Sequence, residues 1–204
     1  TGIHILNDDI VGLAISLKEK EAWYIPFNAD FSETSAKLAR LKIYLEDNKI
    51  LKIGHNIKFD IQIMRRYRIK VCGPYFDTII AHYLLFPESR HKLDKLTEIL
   101  LNYRMIHIEE LIGKKGKDQA TMREIPVEKV KDYACEDADL SMQLHNFLKP
   151  KIDENNLTQL ADSIEFPLID TLVEMELAGF KIDIDSLKAF ENELEKEIKR
   201  IEQE

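Results

Sequence analysis

One junction constrains this chain more than any other feature. Ile50-Leu51-Lys52-Ile53 is short, apolar and strand-like, Gly54 breaks it, and Asn56 stands where a helix N-cap is expected before a helical run over 57–66. A strand that turns into a helix within a few residues sends that helix back across its own sheet. Upstream, two β-prone runs flank the polar Lys18-Glu19-Lys20-Glu21 and predict a hairpin over 9–27. Downstream, helical spacing appears over 32–47 (Ala36, Leu38, Leu41, Tyr44, Leu45), over 76–86 up to Pro87, and over 93–101. The longest helix is predicted over 127–148, with Pro126 at its start and Pro150 just past its end. Residues 113–117 read as a glycine-rich loop. Early strands followed by alternating strands and helices predict an α/β or α+β sheet flanked by helices.

Beyond residue 150 the pattern changes. A helix over 157–177 carries Leu160, Ile164, Leu168, Leu172 and Met175 on one stripe, and Gly179 reads as its C-cap. Asp183-Ile184-Asp185 reads as a turn and an N-cap, with Asp185 capping a last helix rich in Glu and Lys. No strand follows to build a second core. The expected division is therefore 1–150, an α/β domain, and 151–204, a helical extension. The chain begins at Thr1-Gly2 without a Met and ends in a helical pattern at Glu204, so a fragment cut at both ends is expected.

Charge narrows the function. Lys and Arg total 29 against 37 Asp and Glu, a net charge of −8. That balance argues against a protein that grips long duplex DNA through many phosphates. It suits a site that holds a few nucleotides through metal ions, because such a site is built from carboxylates. Cys72 and Cys135 form no CxxC pair and fit a reduced, cytoplasmic protein. The six histidines make no H-x-x-x-H pair, which disfavours structural zinc. No apolar run approaches the ~18 residues of a membrane span, and no signal-peptide pattern is present.

Two places on the chain can carry chemistry. Tyr133 and Asp137 lie four apart on one face of the long helix, beside its apolar stripe of Val127, Val130, Ala134, Ala138 and Leu144. On spacing alone, a capped tyrosine beside a solvated acid is the commoner arrangement. Asp60 lies early in the helix after Gly54, where the helix dipole favours an acid and where α/β sheets bind ligands. One carboxylate from each helix would suit a shared hard cation. Weaker features have plain readings: Asp77 as a helix cap, Glu136 and Asp139 as neighbours of the site or exposed, Lys114, Lys115 and Lys117 as solvated or phosphate-contacting, and Trp23 as core.

These residues also carry a resemblance. Gly54-His55-Asn56-Ile57-Lys58-Phe59-Asp60 resembles the second motif of the DEDD 3′–5′ exonucleases. Tyr133-Ala134-Cys135-Glu136-Asp137-Ala138-Asp139 resembles their third motif in its Tyr form. Phe76-Asp77-Thr78, Arg90-His91-Lys92-Leu93-Asp94-Lys95-Leu96 and residues 108–119 are similar to the proofreading domain of bacterial family A polymerases, the DNA polymerase I family. Ile164-Glu165-Phe166-Pro167-Leu168 and residues 176–183 resemble the opening of their polymerase domain.

The resemblance implies a ribonuclease-H-like mixed sheet flanked by helices, followed by a helical extension. It implies removal of 3′-terminal nucleotides with two Mg²⁺ or Mn²⁺ ions about 4 Å apart. Asp137 would hold the tighter metal, Asp60 the second largely through waters, and Tyr133 would orient the attacking water. Asn56 would reach the substrate or brace the metal shell, Arg90 would reach a substrate phosphate, and Ile3 and Ile108 match an apolar wedge against the terminal base. The implied partners are the single-stranded 3′ end of DNA and a polymerase domain, with no membrane. The family's first motif, an Asp-x-Glu pair on the first strand, does not occur ahead of the hairpin. It is expected upstream of Thr1 together with that strand, leaving these residues impaired as a nuclease. The alternatives are a non-catalytic scaffold bracing a polymerase domain and an RNA-processing exonuclease of the same superfamily.

Overall fold

A computed structural model describes residues 9–114, 116 and 119–203. Its contacts divide the chain into two compact units, Thr1–Val173 and Glu174–Glu204.

The first unit opens with the expected hairpin. Strand β1 (Gly12–Lys18) pairs antiparallel with β2 (Glu21–Pro26), Gly12 opposite Pro26 and Lys18 opposite Glu21. Lys20, in the two-residue turn, takes the positive φ of 64° that a tight hairpin turn demands. Trp23, expected in the core, is instead 48% exposed. The single helix expected over 32–47 is two, α1 (Phe31–Ala39) and α2 (Lys42–Leu45). Leu38 is buried in the first, whereas Ile43 and Tyr44 stay exposed, so the second half has little to bury and makes one turn.

Strand β3 (Lys52–Gly54) gives way to α3 (Ile57–Arg66) across His55 and Asn56, as the sequence predicts. Beside β3, in parallel, runs β4 (Tyr75–Asp77), with Gly54 opposite Asp77. The sequence reads this stretch as the start of a helix. Three consecutive buried residues show no alternation, so nothing in the pattern marks them as a strand. The helix itself, α4, spans Thr78–Leu85, and is followed by α5 (Leu93–Leu100) and the short α6 (Ile108–Ile112).

Helix α7 (Val127–Glu154) organises the unit. It packs against β1, β2, β3, α4 and α5, and buries Leu140, Leu144, Leu148 and Ile152 at a spacing of four. It continues through Pro150, where the sequence predicts a stop. The proline removes one hydrogen bond, and Ile152, 1% exposed, anchors the turn beyond it. Residues 157–177 are helical as predicted but not in one register: α8 (Thr158–Leu160), a π turn (Ala161–Glu165), then α9 (Phe166–Ala178). The extra residue of the π turn resets the buried face to Ala161, Phe166, Ile169 and Val173. Of the expected stripe, Leu160, Ile164, Leu168 and Met175 are therefore left exposed and Leu172 half-buried. Phe166 packs on Phe76 with ring centroids 5.2 Å apart, and the Tyr75 hydroxyl lies 2.9 Å from an Asp170 carboxylate oxygen.

In the second unit Gly179 ends α9 with a φ of 68°, and α10 spans Ile184–Ile201. Its N-cap is Asp183, which accepts from the Ser186 N–H at 3.0 Å; Asp185, the expected cap, sits in the first turn. Among the described residues no helix is long and apolar enough to cross a membrane. Parallel and antiparallel strand pairs flanked by helices, with a helical extension after them, make a mixed α/β fold.

Candidate active site

Among the described residues β1 pairs with β2 and β3 with β4, as two separate pairs. A cavity of about 820 Å³ lies between them. Leu13, Ala14, Ile15, Ser16 and Leu17 line one side in succession, and Leu51, Lys52, Ile53, Gly54 and His55 the other. A strand face presents alternate residues, so consecutive lining residues mean that the cavity runs along two strand edges. Ala134 and Ala138 of α7, both small, line it as well.

Asp60 and Asp137 both line this cavity. Asp60 comes from the first turn of α3 and is open to solvent at the cavity wall, yet densely surrounded by protein. Burial, and then the charge of Asp77, push its carboxyl up from 3.8 to about 7. Asp137 comes from α7, half-buried. Burial pushes it up from 3.8 to about 7, against a hydrogen bond with Tyr133 and with the added push of Glu136 and Asp60. Tyr133, one turn earlier, is raised above the usual tyrosine range by burial and then by Asp137. The hydroxyl therefore keeps its proton and donates it to the carboxylate.

Asp60 raises the proton affinity of Asp137, and Asp77 raises that of Asp60, so the site is short of positive charge. Either protons or a cation can fill that need. Carboxylate oxygens are the donors that Mg²⁺ and Mn²⁺ prefer, so the donor chemistry fits a hard divalent ion. The number of donors is small: among the described residues no group of three or more His, Cys, Asp or Glu could hold a metal.

Asn56 occupies the N-cap position of α3 but does not cap it. Its backbone is left-handed, with φ 65°, and its side chain makes no capping bond. The cap comes from Asp77, 3% exposed. Asp77 accepts from the N–H groups of Asn56 at 3.3 Å and Ile57 at 2.8 Å, and from Ile79 at the start of α4 at 2.8 Å. The cap role expected for Asp77 is thus observed on two helices, and the exposed Asn56 amide is left to face solvent.

Next to it, His55 has its Nδ1 2.8 Å from the Thr78 hydroxyl and bonds the backbone of His91. Burial holds the His55 ring neutral, down at about 4. His91 Nδ1 in turn lies 2.7 Å from Nδ1 of the buried His82. Arg90, beside His91, is exposed and lies outside the cavity lining. Ile108, also outside that lining, is 43% exposed at the start of α6. The approach to α6 is held by Glu136, which accepts from the Tyr103 hydroxyl and the Ile106 N–H, each at 2.8 Å. Asp139 accepts from the Lys20 N–H in the hairpin turn. Ile3, Lys115 and Lys117 lie outside the described residues; Lys114 is exposed.

The structure therefore brings Asp60, Tyr133 and Asp137 together and sets Asn56 at the head of the same helix as Asp60. It leaves Arg90 and Ile108 away from the cavity. The contacts of His55 and Thr78 are missed by sequence reasoning, because each acts between elements in a way that no spacing along the chain reveals; Glu136, expected as a neighbour of the site or exposed, holds the approach to α6.

The family model described as 3′–5′ exonuclease, from family A DNA polymerases, matches residues 1–153. DNA polymerase I of Borreliella burgdorferi is 35% identical over 212 residues, spanning 93% of this chain and 22% of the relative. DNA polymerase I of Pseudomonas aeruginosa is 31% identical over 214 residues, spanning all of this chain and 23% of the relative. The chain thus spans about a fifth of the length of these curated relatives. Among solved structures, Brucella melitensis NrnC bound to pGG superposes with a TM-score of 0.70 at 25% identity, over 90% of this chain and 84% of that one. The POL domain of Pol1 from M. smegmatis, in complex with DNA primer-template and dNTP, superposes with a TM-score of 0.72 at 22% identity, over 94% of this chain and 30% of that one. The fold shared with these structures is a ribonuclease-H-like mixed α/β one. With three quarters of its length matched by that family model, the chain belongs to the 3′–5′ exonuclease family of the family A DNA polymerases.

Proposed function

We propose that residues 1–150 form the proofreading exonuclease domain of a bacterial DNA polymerase I, hydrolysing nucleotides from a single-stranded 3′ end. Residues 151–204 begin its polymerase domain. Asp60 and Asp137 on the wall of one cavity, both raised toward neutrality, with Tyr133 hydrogen-bonded to Asp137, carry this reading. The same reading puts the protein in the cytoplasm, where the free thiols Cys72 and Cys135 remain reduced.

Asp137 and Asp60 would hold two Mg²⁺ or Mn²⁺ ions, Asp137 directly and Asp60 largely through waters. Bound there, the ions supply Lewis-acid stabilisation of the attacking and leaving oxygens. Tyr133 keeps its proton and donates a hydrogen bond to Asp137, so its oxygen lone pair is free to accept from a water and aim it at the terminal phosphorus. The bond from that phosphorus to the neighbouring 3′ oxygen breaks, and the 3′ oxygen leaves with a proton. Asn56, Arg90, Ile3 and Ile108 bind the terminal nucleotides.

Two carboxylates are few for two divalent ions. No Asp-x-Glu pair lies ahead of β1 in this sequence. A strand bearing such a pair, laid between β1 and β3, would enter the cavity that Asp60 and Asp137 line. By themselves the 204 residues should therefore hydrolyse DNA poorly. The test is a gel assay on a 5′-labelled single strand, with and without EDTA. A polypeptide extended upstream by the Asp-x-Glu strand should shorten the 3′ end in Mg²⁺ or Mn²⁺. In it Asp137→Ala should abolish the reaction, and Tyr133→Phe should slow it with metal binding nearly intact. Robust EDTA-sensitive digestion by the 204 residues alone would show that the metal site is misplaced. An inert extended polypeptide would favour the scaffold.

A further inference from the structure

We propose that Asp77-Thr78, at the junction of β4 and α4, is a positioning clasp that sets Asn56, Asp60 and Arg90 for the proposed hydrolysis. The inference rests on the nuclease reading above, but its argument is geometric. Asp77 and Thr78 are 3% and 0% exposed, and neither lines the cavity. Their polar atoms are spent on the neighbouring junction of β3 and α3. One carboxylate oxygen of Asp77 takes the Ile57 N–H, while the other takes those of Ile79 and Asn56. A single side chain thus caps two helices whose strands lie side by side.

That geometry has two consequences. The first turn of α3, which carries Asp60, is tied to the sheet through a buried charge-assisted bond rather than through its own N-cap side chain. Asn56, relieved of capping, keeps a left-handed backbone and turns its amide outward. Thr78 extends the grip. Its hydroxyl lies 2.8 Å from His55 Nδ1 and 3.3 Å from the Gly54 carbonyl. His55 is then fixed in the orientation from which it bonds the backbone of His91, next to Arg90. The chain of contacts runs from Thr78 through His55 to the segment bearing Arg90. Asp77 governs the metal-side residue, and Thr78 governs the phosphate-side one.

That division can be measured in the full-length gene product. Thr78→Val keeps the shape and removes the hydroxyl. It should raise KM for a single-stranded oligonucleotide by about tenfold, the worth of one hydrogen bond, with kcat nearly unchanged. Thr78→Ser should restore KM. Asp77→Asn places an amide N–H against a backbone N–H of α3 or α4, and should lower kcat by about a hundredfold through misplacement of Asp60. Thermal unfolding fixes a temperature at which every variant is folded. A purely structural role would lower the melting temperature and leave KM and kcat of the folded protein as they were; that result overturns the clasp. So does a Thr78→Ser variant no better than Thr78→Val. Wild-type protein without EDTA-sensitive hydrolysis would instead overturn the nuclease reading. The clasp would then stand or fall on amide exchange: Asp77→Asn must speed exchange at both Ile57 and Ile79, and equal rates sink it.

Discussion

Helices α7 and α10 are both long and both striped with apolar residues, yet they do opposite things with those stripes. In α7, Leu144 and Leu148 are completely buried against the strands and α4. In α10, every residue of 184–201 is exposed, including Leu187, Phe190, Leu194 and Ile198. Periodicity specifies a helix with a face and is silent on whether the face meets a partner. The chemical difference between the two helices is large. A packed helix can hold Asp137 and Tyr133 deep enough for burial to reset their proton affinities. A helix exposed all round leaves its acids solvated. Its local support is Asp183 at the N-terminus and exposed pairs such as Glu197 with Arg200 at 2.8 Å, which contribute little.

The sharpest way to break this comparison is to truncate one leucine from each helix. Leu144→Ala removes a side chain with no exposure from the centre of the first unit. It should cost about 2–5 kcal/mol, through lost burial and the cavity left behind. Leu194→Ala, at a site 45% exposed, should stay within about 0.5 kcal/mol. Urea unfolding of the two variants measures both. Equal losses would mean that α10 has a covered face in solution.

A second, smaller effect separates the cavity acids from the solvated ones by pH. Folded Asp60 and Asp137 hold a proton up to about 7, against 3.8 for the ordinary carboxyl. Their contribution to stability is complete below pH about 4 and is lost as pH rises through about 7. His55 runs the other way: its folded value near 4 against 6.5 makes its contribution present above 6.5 and lost as pH falls toward 4. Two acids outweigh one imidazole, and above pH 6.5 only the acids still titrate. In EDTA the melting temperature should therefore fall between pH 5 and pH 8. Asp137→Asn should flatten that fall and raise the melting temperature at pH 8. Mn²⁺ at pH 8 should stabilise the wild type more than this variant, since binding needs the ionised carboxylates. A profile rising from pH 5 to 8 would show that the two carboxyls are not held above their ordinary range.

The same contrast explains how much the sequence disclosed. The junction at Gly54 and the whole of α3 were legible, because a breaker and a helical stripe are local signals. So was the shared face of Tyr133 and Asp137, and the family's motifs tied that pair to Asp60 across 77 residues. Strand β4 was not, because three buried residues carry no period. The register of 157–177 was not, because a π turn inserts one residue without a composition mark. The capping of α3 by Asp77 was hidden behind Asn56, a residue with every local qualification for that role. Local rules assign the position, while the sheet pairing that sets Gly54 opposite Asp77 decides which side chain fills it.

The smallest expected effect lies at the start of α10. Asp183 accepts from the Ser186 N–H at 3.0 Å and from the Ser186 hydroxyl at 2.9 Å, both exposed to solvent. These bonds hold the Asp183 carboxyl below the usual range, so the cap is strongest when the acid is ionised. Its contribution is present above pH about 4 and lost as pH falls below it. Asp183→Ala should speed amide exchange at Ser186 and Leu187 a few-fold, because the first turn loses a partner for an otherwise orphan N–H. Exchange in α7 should not change, and neither should the urea midpoint of the first unit. The sign of the pH dependence makes the test specific: acidifying the wild type from pH 6 to pH 3 should lower the protection of these two amides relative to the unfolded chain, and the protection in the variant should not change. If exchange in the first turn of α10 is already as slow as at Leu144, the face of this helix is covered, and the contrast with α7 dissolves.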